Sequence, residues 1–188
     1  MGIFDKLKSK VTSATSQLFD KNQKEETFTF SALPESLAQM QSLPEASLDS
    51  PFKTVALSLC ALCAYGADSD IGIEMLNWLR GPKGPLSPTD KQFLKDRFAD
   101  DHYYIAFSYF NGATPDNDYT PSEPFTVRVF ANPYSYQNEG YANLYMTSGG
   151  ADSPRNITVR KAGDGKWYLW DQFIMVGIRE PKSKNPWA

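Results

Sequence analysis

The chain is poor in the residues that most often announce chemistry. It holds one histidine, His102, and two cysteines, Cys60 and Cys63, in 188 residues. A single histidine is a weak ligand set, and no second CxxC or histidine pair completes a zinc site. GxSxG, GxxxxGK[ST] and GxGxxG are all missing, so the serine-hydrolase elbow and the common phosphate-cradling loops are not present. No apolar run approaches the roughly 20 residues that span a bilayer. The opening MGIFDKLKSK lacks the apolar centre of a signal peptide, being broken by Asp5 and Lys6. Lys6 also stands where the myristoylation pattern wants Ser or Thr. Positive charge is not in excess: the net charge is −3, which argues against a nucleic-acid partner. These absences lead to the expectation of a cytoplasmic protein with no transmembrane segment, no metal, no cofactor and no assigned catalytic residue.

What the chain does have is a change of pattern along its length. Residues 2–21 place Ile3, Phe4, Leu7, Val11, Leu18 and Phe19 at helical spacing, with Lys6, Lys8 and Lys10 among them. Residues 1–24 carry five lysines against two aspartates. They are expected to form an amphipathic helical extension, ordered by the protein's own core, by a second copy through self-association, or by a membrane surface. Residues 25–50 read as a linker with structure in pieces, a strand at 27–30 and a brief helix after Pro34.

Residues 51–188 are expected to form a single α+β domain. Its first part is a three-helix segment. Ser50-Pro51 opens an apolar helix through both cysteines to Gly66; Ser69 or Asp70 opens a second, closed by Gly81-Pro82; Ser87-Pro88 opens a third that runs to Asp100. On that first helix Cys60 and Cys63 read as small apolar residues, because a redox CxxC would follow a strand and open a helix. After Asp101 the pattern alternates, and twelve of the chain's 26 aromatics fall between Tyr103 and Tyr145. Strands are expected at 125–130, 141–147, 156–161 and 166–171, the last pair joined through AGDG, with 173–178 extending the sheet. Trp167 and Leu169 face one way, Tyr168 and Trp170 the other. Helices first and strands second imply a curved antiparallel sheet of four to five strands packed on the helices, enclosing a pocket between them.

Several segments, SYFNGATPDNDYTPSEP, NPYSYQNEGYANLYMTSGGADSPR, GKWYLWDQF and VGIREPKSKNPWA, resemble a family of small uncharacterised bacterial proteins, chiefly from Firmicutes and other gut bacteria. The resemblance covers about residues 52–188. It implies a bacterial source and one compact domain, and it brings no activity.

Four clusters are candidates for chemistry. His102 with Asp100 and Asp101 fits a solvated helix end. Asp116, Asn117 and Asp118 lack the register of a calcium loop and fit Asx turns. Ser148 to Asp152 could offer backbone N–H groups to an anion near Arg155, or form a Gly-Gly turn. The fourth cluster is the principal one: Tyr134, Tyr136, Asn138, Glu139, Tyr141, Asp152 and Arg155, expected as a ligand-binding surface on loops. Tyrosine supplies apolar area and a hydroxyl at low entropic cost. Three functional readings follow. The first is a binding module for an unidentified protein or small polar ligand. The second is a small enzyme with Glu139 or Asp152 as acid or base and Arg155 holding an anion. The third is an assembly or membrane-adaptor protein acting through residues 1–24.

Overall fold

The computed structural model describes residues 24–188. The amphipathic stretch at 2–21, and the roles in self-association or membrane contact attached to it, lie outside the described residues. The fold is α+β. Strand β1 (Glu25–Phe30) comes first, then α1 (Leu37–Ser42), α2 (Pro51–Ala67), α3 (Ser69–Arg80), α4 (Pro88–Phe98) and α5 (Tyr104–Phe107). Strands β2 (Phe125–Phe130), β3 (Tyr141–Met146), β4 (Arg155–Lys161) and β5 (Trp167–Gln172) follow. The five strands form one antiparallel sheet in the order β1-β2-β3-β4-β5. No helix among the described residues is long and apolar enough to cross a membrane.

The helix starts are set by local side chains. The Ser50 hydroxyl accepts from the Phe52 N–H, with Pro51 at the first helical position. Asp68, rather than Ser69 or Asp70, caps α3 by accepting from the N–H groups of Asp70 and Ile71. Ser87 and Asp90 complete a capping box on α4. Gly81, at φ +46°, closes α3 as its sequence implies. Gly66 does not close α2. The helix runs on to Ala67, and Gly66 instead admits a close neighbour, since a Cβ there would lie 2.9 Å from the Tyr103 Cβ.

Helix α2 is buried nearly all round and lies on the inner face of the sheet. The Thr54 hydroxyl donates to the Trp167 carbonyl at 2.8 Å, and the Trp167 N–H donates to the Leu48 carbonyl at 2.8 Å. Val127, Leu144, Ile157 and Leu169 meet the helix from the four later strands, one from each, as period-two alternation requires. Cys60 and Cys63 are free thiols in this core. Burial raises the pKa of both, so neither is a ready thiolate.

Three expectations need correction. Residues 25–50, read as a linker, are integral to the domain. They supply the edge strand β1 and bury Phe28, Phe30, Met40 and Leu48 in the common core. The stretch after Asp101 does not begin with strands: Tyr104–Phe107 is a single helical turn whose adjacent residues Tyr104, Ile105 and Ala106 are all buried. Residues 173–178 leave the sheet in turns, with Ile174 and Met175 buried.

Candidate functional site

The loop between β2 and β3 is pinned by its own side chains. Asn132 Oδ1 accepts from the Tyr134 N–H at 2.9 Å, and Ser135 Oγ accepts from the Asn132 N–H at 2.9 Å. The Ser135 carbonyl accepts from the Asn143 N–H at 2.8 Å, which ties the loop to β3. This anchorage leaves the Tyr134 ring 67% exposed on a fixed backbone. Tyr136 turns the other way and packs against the core, where burial raises its pKa.

Strand β5 carries a bulge at this level. Thr158 pairs with Asp171 and Val159 with Leu169, so Trp170 is the extra residue. A bulge breaks the alternation of faces and re-aims side chains. Here it puts Trp170 and Asp171 on the same outer face. They join Tyr134, Asn138, Tyr141, Asn143 and Thr158 around a groove of about 390 Å³. The Tyr141 and Trp170 rings meet edge to face with centroids 5.5 Å apart. The Arg160 guanidinium lies 5.1 Å from the Tyr141 centroid and 4.9 Å from that of Trp170. Asn143 Oδ1 accepts from Thr158 Oγ1 at 2.5 Å and from Asn156 Nδ2 at 3.0 Å. Its carbonyl is therefore committed, and its amide N–H groups have no protein acceptor among the described residues.

The expected cluster is divided. Tyr134, Asn138 and Tyr141 line the groove. Asp152 pairs with Arg179 at 2.6 Å. Arg155 donates to the carbonyls of Ser153, Val176 and Gly177, holding the chain after β5. Tyr141 pairs with Arg160 and Met146 with Arg155. The turn bearing Glu139 and the loop bearing Asp152 thus sit at opposite ends of the β3–β4 ladder, about 17 Å apart. Glu139, Asp152 and Arg155 do not assemble a common pocket. A recess of about 370 Å³ does lie between α3, α4 and β5, but its walls are Leu76, Phe93, Leu94 and Leu169 with Arg80 and Asp90, and none of the three lines it.

A family model described as a domain of unknown function, DUF6935, matches residues 32–182. The chain belongs to the DUF6935 family. No curated protein and no solved structure matches it. Strand β1 of this DUF6935 protein precedes the matched region, although it is paired along its whole length with β2.

The remaining candidates of the DUF6935 domain are spent on structure. Asn117 Oδ1 accepts from the Thr114 N–H, and its Nδ2 donates to the Gly112 carbonyl at 2.8 Å. Asp118 accepts from Ser183 Oγ at 2.6 Å, and Asp116 lies 3.3 Å from Lys182. The glycine turn offers no cradle for an anion. The Gly149 N–H donates to the Ser108 carbonyl, and the Gly150 N–H to Ser148 Oγ. The His102 ring stands edge-on to Tyr104 with centroids 5.6 Å apart. No three His, Cys, Asp or Glu side chains gather to hold a metal among the described residues. Trp170, Asn143, Thr158 and Asp171 were not among the sequence candidates. Their signal was the outward phase of Tyr168 and Trp170, whose need for a partner the alternation alone left open.

Proposed function

We propose that this DUF6935 protein is a binding module that takes a small, uncharged, hydroxyl-rich ligand, of the saccharide class, in the groove on the outer face of its sheet. The observation that carries the reading is the β5 bulge, which sets Trp170 and Asp171 side by side opposite an exposed tyrosine on a pinned loop. Aromatic planes suit the C–H faces of a sugar ring. The free amide of Asn143, the Asn138 amide and the Asp171 carboxylate supply donors and an acceptor for hydroxyls. A few convergent polar groups among aromatic walls is the usual make-up of a small-molecule site.

Ligand-observed NMR against a panel of mono- and oligosaccharides tests this. At least one member should bind. Tyr134→Ala and Trp170→Ala should each weaken it about three- to tenfold, the worth of one aromatic contact. A panel that gives no binder, or a binder indifferent to both substitutions in folded protein, would sink the reading.

A further inference from the structure

On the far side of Trp170 the outer face ends in a second recess of a different character. Arg80 and Lys83 reach it from the end of α3 and the turn that follows, Arg160 and Lys161 from the end of β4, and Tyr168 and Trp170 lie among them. Its volume is about 480 Å³, and no carboxylate lines it. Four cations are thus gathered in a chain whose net charge is −3.

The cations are not equally occupied. Arg80 is mostly buried; its Nε donates to the Gly84 carbonyl at 2.8 Å, and Asp90 lies 3.6 Å away. Lys83 donates to the Trp170 carbonyl and stands 4.5 Å from the centroid of its ring. Burial and the Arg80 charge lower the Lys83 pKa, against the opposing pull of Asp171 and Asp90. Arg160 is placed over two aromatic rings, a position that leaves the in-plane N–H donors of its guanidinium free. Lys161 leaves β4 on the opposite face, its Nζ 5.9 Å from the Trp167 centroid, and neither it nor Arg160 has a carboxylate within ion-pair distance among the described residues. The acids that flank the recess lie outside its lining: Asp90 is paired with Arg80, and Asp171, which pulls on Lys83 from the neighbouring groove, accepts from the Gln172 N–H. Asp90 accepts from the Ser87 N–H, and Asp164 accepts from the Tyr168 hydroxyl at 2.7 Å. Like charges held together in a half-enclosed space repel, and an oxyanion with two or more negative charges relieves that repulsion while satisfying the free donors.

We propose that this recess binds a small phosphate-bearing molecule, its oxyanion held by Arg160 and Lys83 beside the edge of Trp170, with the Lys161 charge contributing from the rim. The volume falls in the range of small-molecule sites. The inference does not depend on the saccharide reading of the neighbouring groove.

Isothermal titration calorimetry of the full chain at low ionic strength, with inorganic pyrophosphate and then inorganic phosphate, tests it. Pyrophosphate should give a saturable one-site isotherm and bind more tightly than phosphate. Arg160→Gln and Lys83→Gln should each weaken it about tenfold, the scale of one charge-assisted contact, and Lys161→Gln by less, since its amine stands at the rim. Arg128→Gln removes the same charge from β2 and should leave the isotherm unchanged. Tyr134→Ala, which probes the groove alone, should also leave it unchanged. Absence of a saturable isotherm, or equal weakening by Arg128→Gln, would overturn the proposal.

Discussion

At the scale of single residues, Tyr119 ties the loop before β2 to the C-terminal segment. It is almost fully buried at a φ of +57°, its ring lies 5.2 Å from that of Tyr104, and its hydroxyl donates to the Arg179 carbonyl at 2.7 Å. A Cβ on Gly150 would come within 2.0 Å of that hydroxyl, so glycine at 150 is the counterpart of tyrosine at 119. Burial, with the neighbouring Tyr104, pushes the Tyr119 phenol up to about 12, against the opposing charge of Arg179. Unfolded tyrosine releases its proton near its ordinary value of 10, while the folded protein keeps it. This contribution to stability is therefore whole below pH about 10 and is lost as the pH rises to about 12. Urea unfolding across that window should show the midpoint falling. Tyr119→Phe should flatten part of the fall and cost about 1 kcal/mol at neutral pH for the lost hydrogen bond. Little of this could be read from one residue at a time, because Tyr119, Gly150 and Arg179 are brought together only by the closed fold. Trp170 is the opposite case. Its outward phase was legible from GKWYLWD, whereas the bulge that gives it Asp171 as a neighbour depends on the register of β4 against β5.

At the scale of elements, local chemistry decides boundaries and tertiary contacts decide identity. Ser87 and Asp90 start α4 by themselves, and Ser87→Ala should lower the unfolding free energy by about 1 kcal/mol, read as a shift in urea midpoint at unchanged slope. Asp90 itself is pushed up by burial, yet its bonds with Ser87 and the charges of Arg80 and Lys83 outweigh that and lower its pKa. The cap is thus electrically joined to the cationic recess. FTVRVF and the hairpin through AGDG were legible because alternation and turn residues sit within a few positions. The turn at Tyr104–Phe107 was not. Its aromatics suit a strand as well as a buried helix, and only packing against α2 chooses between them.

At the scale of the whole molecule, the sheet is a meander with one member displaced in sequence. The α+β order was legible from helices first and strands second. The membership of β1 was not, since six residues with two core phenylalanines are a weak signal. The cationic recess was equally hidden: Arg80 and Lys83 are contributed by one half of the chain, Arg160 and Lys161 by the other. A chain beginning at Ala32, compared with one beginning at Lys24, should lose about 3–6 kcal/mol, the burial of Phe28 and Phe30, before the entropy gained by omitting a strand. Thermal unfolding of the two measures the difference, and an unchanged midpoint would show β1 to be dispensable. The same pairing also governs the order of events during synthesis. Thr29 meets Thr126 across 97 positions, so β1 emerges early and must wait until all the helices and β2 have followed it. Closing so long a loop is entropically slow, while the hairpins among β2 to β5 form locally. Strand β1 is thereby left unpaired until β2 has been made. Until then its two phenylalanines and the open edge of β2 are the surfaces by which a half-made chain can join the wrong neighbour.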